Sequence, residues 1–392
     1  MHERSVFVRL ADLTRLTLTN HLDTDAVTEL VAYHALDEVT EEMILRVGPV
    51  IETGNAQAKE GLIDYTDMVY LPAFMQLSPP TTYNWLFCDE LQDLNASQAD
   101  LVQKLLANGG RFIGVGDPKQ SIYGFAGAAA NSFYEVQKAF DAKEMPLSIT
   151  YRCPKQVVKL AQKYVPHLQA ADDAIEGVVR NIEGEGIIAA ARIGDLILCR
   201  SNAPLIRECI EMIKLGIPAH VKDKDIGGSL VAIVKKVVKS GGGHFSLEAL
   251  EEFRASAIAE IEPQKRPEAA IERLNDKIMC IQACWVGWEA RTDVATFCKY
   301  IESLFSDDKK GVTLMSIHKA KGLEKSRVFV LEHDKLPCYF FATTEWQREQ
   351  ERNLVYVAYT RPTHELVLVS KRREGISESA RSLSVARRAR RR

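Results

Sequence analysis

Several kinds of stretch are missing from this 392-residue sequence. No apolar run approaches the ~20 residues needed to cross a bilayer. The opening MHERSVFVRLAD is interrupted by charge too often for a secretory signal. There is no internal repeat and no low-complexity tract before the last residues, which excludes solenoid and fibrous architectures. Cysteine is sparse and scattered, with eight residues in apolar segments. Cys280 and Cys284 stand four apart on an expected helix without nearby His or Cys, which disfavours a structural zinc. The expectation is reduced core thiols in a cytoplasmic protein. A dominant charge is lacking too, since the net charge is only −3. It is uneven, however. Lys371 to Arg392 carries nine Lys/Arg and two Glu, a local +7, which leaves about −10 on the rest. That tail either holds phosphate backbones or is a solvated, disordered terminus.

What is present is core-forming material. Hydrophobic residues make up 46% of the chain, enough for two or three domains. Residues 1–60 read as mostly helical after a strand-like VFVRL, with Asp23 or Thr24 capping a helix that carries Val27, Leu30 and Val31. Residues 61–146 alternate strand and helix. Trp85, Leu86, Phe87 and Cys88 read as a buried strand ending in Asp89 and Glu90. Asn95 and Ser97 offer N-caps for a helix with Leu101, Val102, Leu105 and Leu106 on one face, and NGG at 108–110 stops it. RFIGVGD is a second buried strand, so the pair makes a parallel βαβ unit.

Residues 147–228 continue with Pro154 at a helix start and the strand DLILCR, followed by a helix ended by Gly216. Residues 229–306 are helical without a clear strand, broken at Gly241 to Gly243. Strands return within 307–370, at VTLMSIH, VFVLE and ELVLVS, with RNLVYVAYTR as the last helix. A second α/β sheet is therefore interrupted by a helical insert, and 371–392 is the basic tail.

Carboxylates at the C-terminal end of an α/β strand lie where such sheets bind ligands. Asp89 suits a magnesium ion held through its water shell, and Glu90 suits orienting or deprotonating an attacking water. Further along, GDPKQSIYGF offers Gln120, an amide able to donate and accept, and Tyr123 and Phe125, whose rings either stack on bases or belong to the core.

FCDELQD, GVGDPKQSIYGFAGA, ITYRCP, TLMSIHKAKGLE and VYVAYTR occur in the order found in UvrD/Rep-like superfamily 1 DNA helicases. LILCRSNAPLI and the following GIPAHV are also similar to that family's second motor domain. The resemblance covers about three quarters of the chain. It implies two RecA-like, P-loop NTPase-type α/β domains with ATP between them and single-stranded DNA across their tops, driving unwinding with 3′ to 5′ polarity. Under it, Asp89, Glu90, Gln120, Arg152 and Arg361 are the catalytic set, and Gln120 couples the γ-phosphate to DNA. Tyr151 packs near the adenine, Glu324 contacts the nucleotide, and Tyr123, Phe125, Ser316 and His318 contact DNA or couple to it. The family usually has an arginine after the aromatic of the GDPKQSIYGF motif, where this sequence has Ala126.

One part of that pattern is missing. None of the 23 glycines is followed by lysine, so the Gly-Lys-Ser/Thr phosphate cradle has no match, and the adenine-reading glutamine motif has none either. The first motor domain is then incomplete, and a sheet without an inner strand leaves open edges. The expectation is a C-terminal helicase portion whose cradle lies on a missing N-terminal region or a separate partner chain. The alternative is a catalytically silent DNA-binding or assembly module.

Overall fold

The computed structural model describes residues 2–34, 36, 39–122, 132–240, 243–261, 268–288, 293–305, 310–342 and 344–372. The chain opens with four helices: α1 (His2–Leu16), α2 (Thr24–Tyr33), α3 (Glu41–Lys59) and α4 (Asp67–Phe74). VFVRL, expected to be strand-like, lies inside α1. Its valines favour a strand locally, but Leu10 and Leu13 recur at helical spacing and bury against Val27, Val47, Ile51 and Tyr70. Tertiary burial outweighs the β preference there. Asp23 caps α2, its side chain accepting from the Asp25 and Ala26 amides.

Next come β1 (Tyr83–Cys88), α5 (Ala96–Leu105) and β2 (Leu106–Gly114). The two strands pair in parallel, Trp85 opposite Arg111 and Phe87 opposite Ile113. Asn95 and Gln98 form a reciprocal capping box at the start of α5. Ser97 is not a cap; it is buried, and its hydroxyl donates to the Arg15 carbonyl at 2.8 Å. Nor does NGG stop the helix, which ends at Leu105, so the Asn-Gly-Gly already belongs to β2.

The larger correction concerns burial. Both strands read as buried from their apolar runs, yet Trp85 is 51% and Phe87 69% exposed, and Ile113 and Val115 are exposed with them. An apolar run signals a strand meant to be covered, but a two-stranded sheet has few neighbours to cover it. Phe112, pointing the other way, stacks on Phe140 with ring centroids 4.0 Å apart.

After α6 (Ser132–Ala139), the short strands β3 (Ile149–Thr150) and β4 (Gln169–Ala170) flank α7 (Lys155–Ala161). A six-stranded sheet follows, built from β5 (Val178–Ile182), β6 (Leu196–Cys199), β7 (Ala219–Val221), β8 (Val312–Ser316), β9 (Lys325–Leu331) and β10 (Pro362–Val369). Helices α8 (Ile187–Ala190) and α9 (Asn202–Lys214) join the earlier strands. Between β7 and β8 lie α10 (Lys224–Ser240), α11 (Leu247–Ile261), α12 (Glu268–Gly287) and α13 (Val294–Leu304), and α14 (Glu345–Tyr359) precedes β10. The strand order is β5-β10-β9-β6-β8-β7, every pair parallel.

Period-two alternation sends Ile197, Phe329 and Val367 to one face, against α9 and the inserted helices. Leu198, Val330 and Leu368 go to the other, against α7 and α14. Both faces are thus covered, as a parallel sheet requires. Asp276 on α12 accepts from the Asn202 and Ala203 amides, fastening the insert to the start of α9. None of the eight cysteines forms a disulfide, and among the described residues no helix is long and apolar enough to cross a membrane. The α/β class read from the sequence is the class the chain adopts.

Candidate functional site

β1 delivers Asp89 and Glu90 to its C-terminal end, where the chain turns sharply. Glu90 sits in the left-handed region at φ 53°, uncommon for a residue with a side chain. The turn is held by its own hydrogen bonds. The Asp89 carboxylate accepts from the Glu90 amide at 2.9 Å, Val115 N donates to the Cys88 carbonyl at 2.8 Å, and Leu91 N donates to the Val115 carbonyl at 3.0 Å. Asp89 and Glu90 both face solvent.

Gln92 is buried behind them. Its amide donates to Glu90 Oε2 at 2.5 Å, and its carbonyl oxygen accepts from Asp117 N at 3.0 Å. Asp117 caps the next turn, accepting from Lys119 N and from Gln120 Nε2, each at 2.9 Å. Gln120 is therefore linked to the acid turn through two residues, Asp117 and Gln92. Tyr123 and Phe125, with Ala126, lie outside the described residues.

Tyr151 and Arg152 follow β3, which pairs with β4 in a separate two-stranded sheet. Tyr151 is 84% exposed, its ring open to solvent. Arg152 Nε donates to Glu324 at 2.6 Å, which brings together two residues expected at the nucleotide. Arg361 is nearly inaccessible. Its Nε donates to the Val357 carbonyl at 2.9 Å, Nη1 to the Leu323 carbonyl at 3.2 Å and Nη2 to Thr360 Oγ1 at 3.1 Å. Burial, and then the nearby positive Arg152, lower its pKa. The guanidinium expected to reach across the cleft is thus spent on its own domain here. Ser316 ends β8, half-buried. Burial, with Arg200 adding to it, pushes His318 down to about 3, so its ring is neutral.

The sequence reading missed Lys321. This side chain, 6% exposed, reaches from the turn after β8 to the acids of the first sheet. It pairs with Asp93, lies 3.6 Å from Glu90 Oε2 and donates to the Gln120 carbonyl at 2.9 Å. The signal was there in HKAKGLE, a lysine three residues before Glu324, but only the fold shows which acids it meets. Helix α14 closes the same seam: Glu349 pairs with Lys119 at 2.7 Å, and Asn353 donates to the Ser121 carbonyl at 3.0 Å.

A hard cation fits the donor set. Asp89 offers carboxylate oxygen on an open turn, with the Glu90 amide on one oxygen. Among the described residues no group of three or more His, Cys, Asp or Glu could cage a metal, so an ion held by Asp89 would need water or phosphate oxygens as its other ligands.

Comparison with known proteins agrees with this geometry. Residues 39–141 match the UvrD/REP helicase N-terminal domain, and residues 289–373 match the UvrD-like helicase C-terminal domain. The ATP-dependent DNA helicase Rep of Escherichia coli is 32% identical over 118 residues, covering 27% of this chain and 18% of that protein. The F-box DNA helicase protein 1 of Schizosaccharomyces pombe is 24% identical over 322 residues, 78% of this chain and 35% of that protein. The ATP-dependent DNA helicase UvrD2 of Mycobacterium tuberculosis is 25% identical over 343 residues, 73% of this chain and 47% of that protein. The chain therefore spans less than half the length of each. Both domains of the UvrD/Rep-like superfamily 1 helicases are thus matched in order along the chain, which is similar to that family on either side of a seam where acids of one sheet meet a lysine of the other.

Proposed function

We propose that this chain is a motor portion of an ATP-dependent DNA helicase, moving 3′ to 5′ along single-stranded DNA with its nucleotide between the two parallel sheets. The contact of Lys321 with Glu90 and Asp93 carries the reading, because it makes the cleft between the sheets a charged seam. In this reading Asp89 holds a hydrated magnesium ion, which when bound neutralises phosphate charge. Glu90 accepts the proton of the attacking water. Gln120 exchanges its Asp117 contact for the γ-phosphate, and Arg152 exchanges Glu324 for phosphate oxygen. Arg361 backs that charge from below, Glu324 contacts the nucleotide and Tyr151 stacks on the adenine. Tyr123, Phe125, Ser316 and His318 line the DNA path, His318 through hydrogen bonds rather than charge. Eight cysteines without a disulfide suit a reducing, cytoplasmic setting.

The phosphate cradle in this reading comes from a polypeptide segment outside these 392 residues, on the same or a partner chain. The open β1–β2 sheet supports this, since three or more strands are normally needed for a sheet with an apolar face to stand alone. A second reading, favoured by the lack of any Gly-Lys pair, is a silent DNA-binding module.

ATP hydrolysis by the purified chain, with and without single-stranded DNA, tests the proposal. Glu90→Gln is the control, expected to reduce turnover by roughly 10²- to 10⁴-fold. DNA-stimulated hydrolysis lost in the control supports the motor and removes the need for an outside cradle. DNA binding without hydrolysis, from folded protein, leaves the outside cradle and the silent module. An in-frame Gly-Lys-Thr segment in the coding DNA upstream of Met1 would decide for the former. Neither binding nor hydrolysis would end both readings.

A further inference from the structure

Gln92 has no assigned role, and its surroundings are built around it. Its side chain is almost completely buried, and both ends of the amide are used. A buried amide is costly to leave unpaired, so its orientation is fixed by those two partners. The backbone makes room for it as well. A Cβ at Gly116 would stand 2.5 Å from Gln92 Oε1 and 3.0 Å from Leu91 N, so the chain passes there only as glycine.

The partners of Gln92 belong to two different devices. One is the Glu90 carboxylate, held at an uncommon backbone angle at the end of β1. The other is the amide of Asp117, whose carboxylate in turn fixes Lys119 N and the Gln120 side chain. The result is a continuous hydrogen-bonded path from Glu90 through Gln92 and Asp117 to Gln120. A change at the Glu90 carboxylate alters the donor that Gln92 spends there, and through the rigid amide plane alters its hold on Asp117.

We propose that Gln92 is a positioning residue that couples the state of the Glu90 carboxylate to the order of the 117–121 loop. On the motor reading it would transmit nucleotide state from the acid turn to the loop bearing Gln120. Its value to a motor rests on that reading, while the coupling itself does not.

The test is amide hydrogen exchange over residues 115–121 in the full chain, without nucleotide or DNA. Failure of the motor reading would therefore leave this test untouched. Gln92→Leu should raise exchange there about fivefold, the loss expected for one hydrogen bond. Glu90→Ala should raise it similarly, while Glu90→Gln, which keeps an acceptor for the Gln92 amide, should restore protection. In a Gln92→Leu background, Glu90→Ala should add nothing, which is the signature of a shared path. Unchanged exchange in Glu90→Ala would overturn the proposal and leave Gln92 a local bracket. A full additive effect in the double variant would also overturn it, because the influence would then run through Lys321. If Gln92→Leu fails to fold, the contrast between Glu90→Ala and Glu90→Gln decides alone.

Discussion

The Lys321 ammonium stands 3.6 Å from the Glu90 carboxylate, although one belongs to the six-stranded sheet and the other to the two-stranded one. It is nearly enclosed, with Asp93 and the Gln120 carbonyl as its other partners.

Replacing Lys321 by Met should therefore cost about 2 kcal/mol at neutral pH, below the full penalty of a deeply buried pair because Glu90 is exposed. Burial already holds Asp93 above the ordinary carboxylate range, with Lys321 pulling it back. Without that lysine its pKa rises further. The deficit should be complete above that raised range and shrink as pH falls through it and Asp93 takes a proton. Urea denaturation at pH 7 and pH 5 checks this; an equal deficit at both would contradict the assigned pairing.

Two histidines set an acid limit. Burial, and then Arg9, lowers His34 to about 4, and burial, and then Arg200, lowers His318 to about 3. In the unfolded chain each takes a proton near pH 6.5. The unfolded state binds more protons below that, so stability falls as pH drops from about 6.5 towards 4, by up to ~1.4 kcal/mol per unit per ring. His34→Phe, which keeps the aromatic contacts with Tyr33 and Trp346, and His318→Gln should each flatten that slope. Urea midpoints between pH 7 and 4.5 measure it, and slopes matching the parent would count against both assignments.

Arg361 acts as a staple whatever its part in catalysis. Three of its nitrogens satisfy three oxygens, and one ammonium cannot replace them. Arg361→Lys should cost ~2–3 kcal/mol, read as a lower Tm. A change below ~0.5 kcal/mol would place the residue's importance in the cleft instead.

The exposed face of β1 predicts the opposite behaviour. Trp85→Ser with Phe87→Ser should leave folding stability within ~0.5 kcal/mol, as for other surface substitutions, while reducing binding of an apolar dye. A large loss of stability would mean that these rings are core.

Four strands of the six-stranded sheet, β6, β8, β9 and β10, were legible because they are short apolar runs covered on both faces by this same chain, whereas β5 and β7 were not read as strands. Asp89 and Glu90 stood out at the end of an apolar strand, while Gln120 and Arg152 stood out only through motifs shared with the helicase family. Burial in β1 was not, since an apolar run states what a strand requires and not what its neighbours supply. Lys321 and Gln92 escaped because their meaning lies in partners on another element. The same holds for the inward turn of Arg361, which depends on carbonyls at Leu323 and Val357 that no pattern of side chains reveals.

Helix α14 has a mechanical consequence. Near its start Trp346 donates to the Tyr33 carbonyl at 2.8 Å, with the two rings stacked, and further along Glu349 and Asn353 hold the 117–121 loop. Its fifteen residues form a rod about 22 Å long whose inner face is locked into the second sheet. A rod gripped at successive heights cannot peel away from one end without bending. Parting the two sheets therefore means releasing those grips together, so the cleft has a threshold to opening rather than a graded yield.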